Sequence, residues 1–209
     1  MDDVTSAIAA IAVGYVVGTF PTADLVTRIA TRGRVDIRAV GSGNPGGLNA
    51  MKEIGTRWGV LVIVVDIVKG VVGGLLGWAV AGDAGAYAGA TAAIAGHIWP
   101  VWSRFRGGKG VATSGGAVLV AFPAYFPIQA AVAAVGALST HRAEKAIWVS
   151  APLWIVAAAV WWLADLPNLW GPEPAAGLLV SAVAGSGMIL LKFRLAARAP
   201  AAAAGSSRA

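Results

Sequence analysis

The chain has 209 residues, of which 57% are apolar and 12% are charged, and it carries a formal net charge of +6. Because a soluble domain is about 25% charged, this composition excludes an ordinary soluble protein and predicts one that crosses a membrane several times. The sequence contains no cysteine, which excludes disulfides, thiolate metal sites and a thioester-forming nucleophile. The positive charge fits lysines and arginines gathered on the cytoplasmic side of a membrane better than it fits nucleic-acid binding.

Seven apolar segments follow one another along the chain, and a full helical crossing needs about 20 residues. They cover residues 4–25, 58–80, 84–103, 110–122, 124–139, 146–164 and 175–191. The first is preceded by Asp2 and Asp3 rather than by basic residues, so we expect a transmembrane helix and not a cleaved signal. The predicted fold class is an all-α integral membrane protein, a bundle of about seven transmembrane helices. It forms one domain over residues 1–195, and residues 196–209 are expected to be a disordered tail.

Lysines and arginines occupy only some of the connections between these segments. They are Arg28, Arg32, Arg34, Arg38, Lys52 and Arg57, then Arg104, Arg106 and Lys109, then Arg142 and Lys145, and finally Lys192, Arg194, Arg198 and Arg208. The other connections hold Asp83, Asp165 and Glu173. The positive-inside rule places the basic connections and the C-terminus in the cytoplasm and the N-terminus outside.

Residues 110–140 have a basic connection at each end, so they must cross the membrane an even number of times. Thirty helical residues rise about 45 Å, whereas each crossing spans about 30 Å of hydrocarbon. We therefore expect a short helical hairpin that breaks near residues 122–127, Phe-Pro-Ala-Tyr-Phe-Pro, and barely reaches the far face.

A glycine-rich loop covers residues 41–53, which read Gly-Ser-Gly-Asn-Pro-Gly-Gly-Leu-Asn-Ala-Met-Lys-Glu. Its glycines, proline and asparagines are typical of tight turns, and we expect a helix to begin within it. Exposed amides at a helix N-terminus bind anions. Such clusters are often only turns, but Ser42, Asn49 and Lys52 on the predicted cytoplasmic face favour a binding loop.

A second glycine-rich loop, residues 104–114, reads Arg-Phe-Arg-Gly-Gly-Lys-Gly-Val-Ala-Thr-Ser. Glycines let backbone N–H groups approach a phosphate closely, and Lys109 adds a mobile positive charge. The positive-inside bias alone explains Arg104 and Arg106, but it does not explain the glycines around Lys109. The spacing of a nucleotide-binding P-loop is absent. The two loops together indicate a membrane protein that handles phosphorylated substrates at one face.

Two ionisable residues, Asp66 and Lys69, lie three positions apart inside an apolar segment and so share one helix face. Charged groups inside a membrane are costly and often functional, although mutual pairing explains them equally well. His97, near the end of the next segment, is either a hydrogen-bonded structural group or a base. The sequence has no HExxH or GxSxG motif and no histidine followed five residues later by aspartate.

The two loops resemble those of the PlsY family, the bacterial acyl-phosphate:glycerol-3-phosphate acyltransferases. That family carries Gly-Ser-Gly-Asn-x-Gly-Ala-Thr-Asn, then Asp-x-x-Lys-Gly, then Gly-His-x-x-Pro-Val-x-x-x-Phe-Lys-Gly-Gly-Lys-Gly-Val-Ala-Thr. The corresponding residues here are 41–49, 66–70 and 96–113, in the same order. The resemblance implies seven membrane helices, an outside N-terminus and an active site facing the cytoplasm of a bacterial cell.

The resemblance also implies site residues. The catalytic candidates are Ser42, Asn44, His97 and Lys109. The substrate-binding candidates are Gly41, Gly43, Gly46, Asn49, Lys52, Asp66, Lys69, Arg106, Gly107, Gly108, Gly110, Thr113, Ser150 and Arg194. No cofactor or metal is expected. The partners implied are acyl phosphate, glycerol 3-phosphate and the lipid bilayer.

The chain departs from the family pattern at both ends. An early Gly-Ser is Gly18-Thr19 here, and the Ala-Thr of the first loop is Gly47-Leu48. The C-terminal His-Arg-x-Asn-Ile motif has no clean counterpart, because Phe193, Arg194 and Ala196 stand in its place.

The function expected is transfer of a fatty acyl group from acyl phosphate to the 1-hydroxyl of glycerol 3-phosphate, which gives lysophosphatidic acid for phospholipid synthesis. Either His97 or the substrate's own phosphate accepts the proton, and the sequence leaves both open. Two other functions stay open, a non-catalytic paralogue that acts as a scaffold and a transporter of a small phosphorylated solute.

Overall fold

The protein is all-helical in a computed structural model that describes residues 2–139 and 143–198. Its helices, in chain order, are α1 (Asp3–Gly18), α2 (Thr22–Thr31), α3 (Gly47–Ile54), α4 (Thr56–Ile98), α5 (Val111–Ala121), α6 (Phe126–Ser139), α7 (Ala143–Leu163) and α8 (Ala176–Arg198). Short 3₁₀ turns cover Val101–Ser103 and Pro123–Tyr125. Arg142, in the third basic connection, and residues 199–209 of the predicted disordered tail lie outside the described residues.

Helix α4 is a hairpin of two antiparallel arms rather than one rod. Ala81 and Gly82 have non-helical backbone angles, with φ of +58° at Gly82. The two arms lie in direct backbone contact near the bend. The contact is so close that a Cβ on Gly77 would overlap the carbonyl oxygen of Gly85. With the arms counted separately, each of the seven predicted spans corresponds to a helix, and the seven-helix count is confirmed.

Four described stretches are long and apolar enough to cross a membrane, Asp3–Thr31, Thr56–Ser103, Ala146–Leu163 and Ala176–Ala197. The second of these contains the whole hairpin of α4. Helix α5 is apolar but has only 11 residues, and the chain then turns at Pro123–Tyr125 and returns as α6. The short hairpin predicted around residues 122–127 is therefore present. The orientation of the termini stays a prediction.

The predicted first span, residues 4–25, differs from the structure because α1 ends at Gly18. Proline lacks an N–H group and disfavours helical angles in the residue before it, so Pro21 breaks the helix. The chain continues as α2. Its buried residues Ala23 and Val26 pack with Ile37, which precedes the first glycine-rich loop. At this break the Phe20 carbonyl oxygen accepts from the Thr22 N–H at 2.9 Å rather than from a helical i+4 amide, and it also contacts a site residue.

Glycines set the spacing between α1 and the two arms of α4. A Cβ on Gly14 would overlap the carbonyl oxygen of Gly89, and one on Gly89 would overlap the carbonyl oxygen of Gly73. Small residues let membrane helices approach closely. A larger core lies on the other side, where the second arm of α4 packs against α5, α7 and α8 through residues such as Ile94, Phe122 and Trp154.

Candidate active site

A cleft lies where the break after α1, both arms of α4 and both glycine-rich loops meet. Its wall is made of residues 18–24, Arg38, Pro45, Asp66, Lys69, His97, Pro100, Trp102, Ser103, Gly107 and Gly108. The structure thus brings together residues from five separate parts of the chain. The two loops touch, since the Pro45 carbonyl oxygen lies 3.0 Å from the position that a Cβ would take on Gly108.

Three buried ionisable residues form the floor of this cleft. Asp66, Lys69 and His97 are 2%, 5% and 8% exposed. The Lys69 Nζ atom lies 2.9 Å from Asp66 Oδ1 and 3.2 Å from His97 Nδ1. It also donates a hydrogen bond of 2.9 Å to the Phe20 carbonyl oxygen, which accepts from the Thr22 N–H as well. A buried ammonium is tolerated only when it is paired, and here three groups surround it.

The glycines of the second loop are needed because the loop packs directly on His97. A Cβ on Gly107 would overlap the His97 carbonyl oxygen, and a Cβ on Gly108 would overlap the His97 Nε2 atom. The Gly107 amide donates to the Ile98 carbonyl at 3.0 Å, and the Gly108 amide donates to the His97 carbonyl at 3.2 Å. These two amides are therefore already used, and they hold the loop in place rather than offering donors to an anion.

The first loop is held by the side chain of Asn49, which is 5% exposed. Its Oδ1 atom accepts from the Ser42 N–H at 2.9 Å and from the Ser42 hydroxyl at 3.1 Å. Its Nδ2 atom donates to the carbonyls of Ile37 and Val40 at 3.1 and 3.2 Å. Asn49 therefore fixes the loop from inside, while Asn44 lies next to Pro45 at the contact with Gly108.

An ion pair that the sequence analysis did not single out lies at the mouth of the cleft. Arg38 contacts both carboxylate oxygens of Asp24, with Nε–Oδ1 at 2.6 Å and Nη2–Oδ2 at 2.8 Å. Arg38 also donates to the Arg106 carbonyl, so it ties α2 to the second loop. Asp24 falls inside the predicted first span, and a charge there is a signal of function. The pairing itself joins distant positions and has no sequence signature.

Arg194 belongs to α8, and Lys109 lies against the same helix. The Lys109 Nζ atom is 4.2 Å from the centroid of the Phe193 ring, and the Arg194 guanidinium carbon is 5.0 Å from the centroid of the Trp148 ring. Cations are attracted to aromatic faces at these distances. The ring that contacts Lys109 belongs to Phe193, one of the positions where the chain departs from the family's C-terminal motif.

Several predicted site residues lie away from the cleft wall. Ser150 lines a separate interior cavity with Ser114, Gln129 and Trp154, and Thr113 is fully buried in α5. Lys52, in α3, and Gly41, before it, are both exposed. Gly110 has φ of +81° and precedes the first residue of α5. The turn before α3 contains Gly43, with φ of +66°, and Gly46.

Within the described residues, no group of three or more histidines, aspartates or glutamates could hold a metal ion.

An apolar groove of about 420 Å³ adjoins the cleft. It lies between α1 and the first arm of α4 and is lined by valines 16, 17, 65, 68 and 72 with Trp102. The indole N–H of Trp102 donates to the Thr19 hydroxyl at 2.9 Å. Thr19, Phe20, Pro21, Lys69 and Trp102 line both the cleft and the groove, so a polar site and an apolar site share one wall.

Comparison with known proteins places this architecture in a family. A family model described as glycerol-3-phosphate acyltransferase matches residues 8–199. A glycerol-3-phosphate acyltransferase of Symbiobacterium thermophilum is 38% identical over 137 residues, which is 66% of this chain and 64% of that protein. One of Thermoanaerobacter pseudethanolicus is 31% identical over 150 residues, covering 72% of this chain and 75% of that protein.

A third relative, glycerol-3-phosphate acyltransferase 2 of Moorella thermoacetica, is 43% identical over 114 residues, or 54% of this chain and 58% of that protein. The chain thus spans less than two thirds of the length of the first and third of these relatives. Among solved structures, the crystal structure of PlsY (YgiH), an integral membrane glycerol 3-phosphate acyltransferase in its glycerol 3-phosphate form, matches with a TM-score of 0.73. The identity is 28%, and the match covers 91% of this chain and 89% of that chain.

Proposed function

Because the chain belongs to the glycerol-3-phosphate acyltransferase family, we propose that it transfers a fatty acyl group from acyl phosphate to the 1-hydroxyl of glycerol 3-phosphate. The products are lysophosphatidic acid and phosphate. The protein is an integral membrane protein, and its cleft faces the cytoplasm of a bacterial cell. Family membership favours this enzyme over a scaffold or a solute transporter.

One observation carries the proposal: the polar cleft and the apolar groove share a wall at Lys69 and Trp102. An acyl phosphate is an anionic head on an apolar tail, so it needs both environments side by side. The tail enters laterally from the lipid between α1 and α4. The head then lies at the cleft, near the cations of the two loops.

The chemistry needs no covalent enzyme intermediate, because an acyl phosphate is already an activated mixed anhydride. The 1-hydroxyl oxygen attacks the carbonyl carbon, the bond from that carbon to the phosphate oxygen breaks, and the hydroxyl proton ends on the released phosphate. The protein orients the two substrates and stabilises the developing oxyanion and the leaving group. Proximity of this kind accounts for about 7–11 kcal/mol of barrier in intramolecular reactions.

The residues take the following roles in this proposal. Ser42 and Asn44 hydrogen-bond near the reacting carbonyl, and Lys109 neutralises phosphate charge. Lys52 and Arg194 add positive charge from the first loop and from α8. Helix α5 begins at Val111, directly after the second loop, so its N-terminal amides lie beside Lys109 and favour an anion there.

The test is an assay of purified protein in detergent with palmitoyl phosphate and radiolabelled glycerol 3-phosphate. Labelled lysophosphatidic acid extracted into solvent is the expected product, and palmitoyl-CoA in place of palmitoyl phosphate should give none. Lys109→Ala should lower kcat/KM for the phosphorylated substrates.

No product from a folded, monodisperse sample would contradict the enzyme. Product from palmitoyl-CoA at an equal rate would contradict the proposed donor. Full turnover by Lys109→Ala would remove Lys109 from the site.

A further inference from the structure

The Lys69 ammonium has two hydrogen-bond partners and one ion-pair partner. Its neighbours are the Phe20 carbonyl oxygen at 2.9 Å, Asp66 Oδ1 at 2.9 Å and His97 Nδ1 at 3.2 Å. An ammonium group donates hydrogen bonds and accepts none. The His97 Nδ1 atom must therefore present its lone pair to Lys69 and carry no proton.

The competing arrangement, in which Nδ1 carries a proton and donates it to Asp66, does not fit the distances. His97 Nδ1 lies 3.6 Å from Asp66 Oδ1, beyond the usual 2.7–3.2 Å range for such a bond. In a doubly protonated imidazolium, the proton on Nδ1 would point at the Lys69 ammonium. A neutral imidazole has one donor and one acceptor nitrogen, so its single proton is on Nε2.

The Nε2 atom lies beside Gly108, and His97 and Gly108 both line the cleft. A Cβ at that position would overlap it, so glycine leaves the approach to Nε2 open. Among the described residues, no protein atom accepts a hydrogen bond from Nε2, whereas Nδ1 is engaged. A nearly buried donor without a protein acceptor, on the wall of a substrate cleft, is available to a ligand oxygen.

We propose that Lys69 is a positioning residue that holds His97 in the neutral Nε2–H form, so that His97 donates a hydrogen bond to an anionic substrate oxygen. This inference rests on the proposed function for the identity of the substrate. It removes His97 from the two candidate proton acceptors. Asp66 balances the charge of Lys69, and together they set the tautomer of the imidazole that donates to the substrate.

The chain offers a direct test because it contains only 2 histidines. Protein with ¹⁵N in the imidazole rings is reconstituted in lipid, and one-bond ¹⁵N–¹H correlations identify the protonated ring nitrogen. A His141→Gln sample assigns the signals. We expect the His97 proton on Nε2 alone near neutral pH. A proton on Nδ1, or on both nitrogens, would overturn the inference.

The role of Lys69 is tested in the double variant Asp66→Asn/Lys69→Met, which leaves no unpaired buried charge. Nδ1 then loses the ammonium that fixes it, so the imidazole should populate both tautomers. Size-exclusion profile and helical circular dichroism report whether the variant folds. A folded variant whose His97 still carries its proton only on Nε2 would show that Lys69 does not set the tautomer.

The donor role is tested by comparing His97→Gln with His97→Ala in the acyl-transfer assay. A glutamine amide donates a hydrogen bond but is no base, so it should retain at least about tenfold more kcat than alanine. Equal loss in both variants would contradict the donor role.

The ¹⁵N spectra need no turnover, so they separate this inference from the proposed function. A protein without acyltransferase activity whose His97 carries its proton on Nε2 would disprove the proposed function and leave the tautomer assignment standing.

Discussion

Gly108 shows how a single missing side chain shapes the site. The residue lies between the His97 imidazole and the Pro45 carbonyl oxygen, so it is where the two loops and α4 touch. A methyl group there would push the second loop away from His97. Glycine is thus required at this position for close packing and not for a positive φ angle.

Gly108→Ala should therefore damage turnover more than stability. A misplacement of about 1 Å costs roughly 10²-fold in rate, and we expect kcat/KM to fall by about that factor. Gly115→Ala is the matched control, because a Cβ on Gly115 meets nothing within 4 Å. Equal kinetics of the two variants in the acyl-transfer assay would contradict this account of the loop.

Asn49 is the other residue on which the site geometry depends. Asn49→Ala leaves two backbone carbonyls and the Ser42 N–H without their partner. An unsatisfied buried group costs about 1–3 kcal/mol, so the free energy of unfolding should drop by at least that amount. Ser42→Ala removes one hydroxyl, which donates to Asn49 and accepts a long bond of 3.4 Å from the Asn44 N–H, and should cost about 1 kcal/mol. Thermal or denaturant unfolding in detergent compares the two, and equal losses would show that Asn49 does not hold the loop.

At the scale of helices, backbone contact through glycine joins α1 to the hairpin of α4. Gly89→Ala would place a methyl group against the Gly73 carbonyl oxygen and 2.9 Å from the Gly77 Cα atom. Overpacking of this kind costs about 1–3 kcal/mol, and the melting temperature should fall. Gly187→Ala in α8, where nothing lies within 4 Å, should leave it unchanged or raise it. If Gly89→Ala melted at the same temperature as Gly187→Ala, the close contact between the two arms of α4 would not contribute to stability.

The sequence predicts helices where segment length and flanking charge limit the possible arrangements. It does not predict features that depend on contacts between distant parts of the chain. The hairpin after Gly110 followed from basic residues at both ends and too few residues for two full crossings. The break at Pro21 was missed because hydropathy runs through it, although the proline itself was a signal. The contacts of Lys69 with Phe20 and His97 join positions 49 and 28 residues apart, and no local pattern encodes them.

For the whole molecule, charge distribution predicts which face carries the cleft. The basic connection after α2 and the second loop lie on one side, and the acidic connection between α7 and α8 lies on the other. Because the chain has no cysteine, Arg34→Cys and Glu173→Cys each introduce a unique thiol. A maleimide that cannot cross membranes should label Arg34→Cys only in inside-out vesicles and Glu173→Cys only in intact cells. Labelling of both from one side would overturn the topology.

The most direct measurement of the central claim is product formation in sealed vesicles of known orientation. Palmitoyl phosphate is supplied in the bilayer, and labelled glycerol 3-phosphate, which does not cross it, is added outside. We predict labelled lysophosphatidic acid from inside-out vesicles, where the cleft beside Lys69 and His97 faces the added substrate, and none from right-side-out vesicles. Product from right-side-out vesicles alone, or none from either orientation with folded protein, would contradict the account.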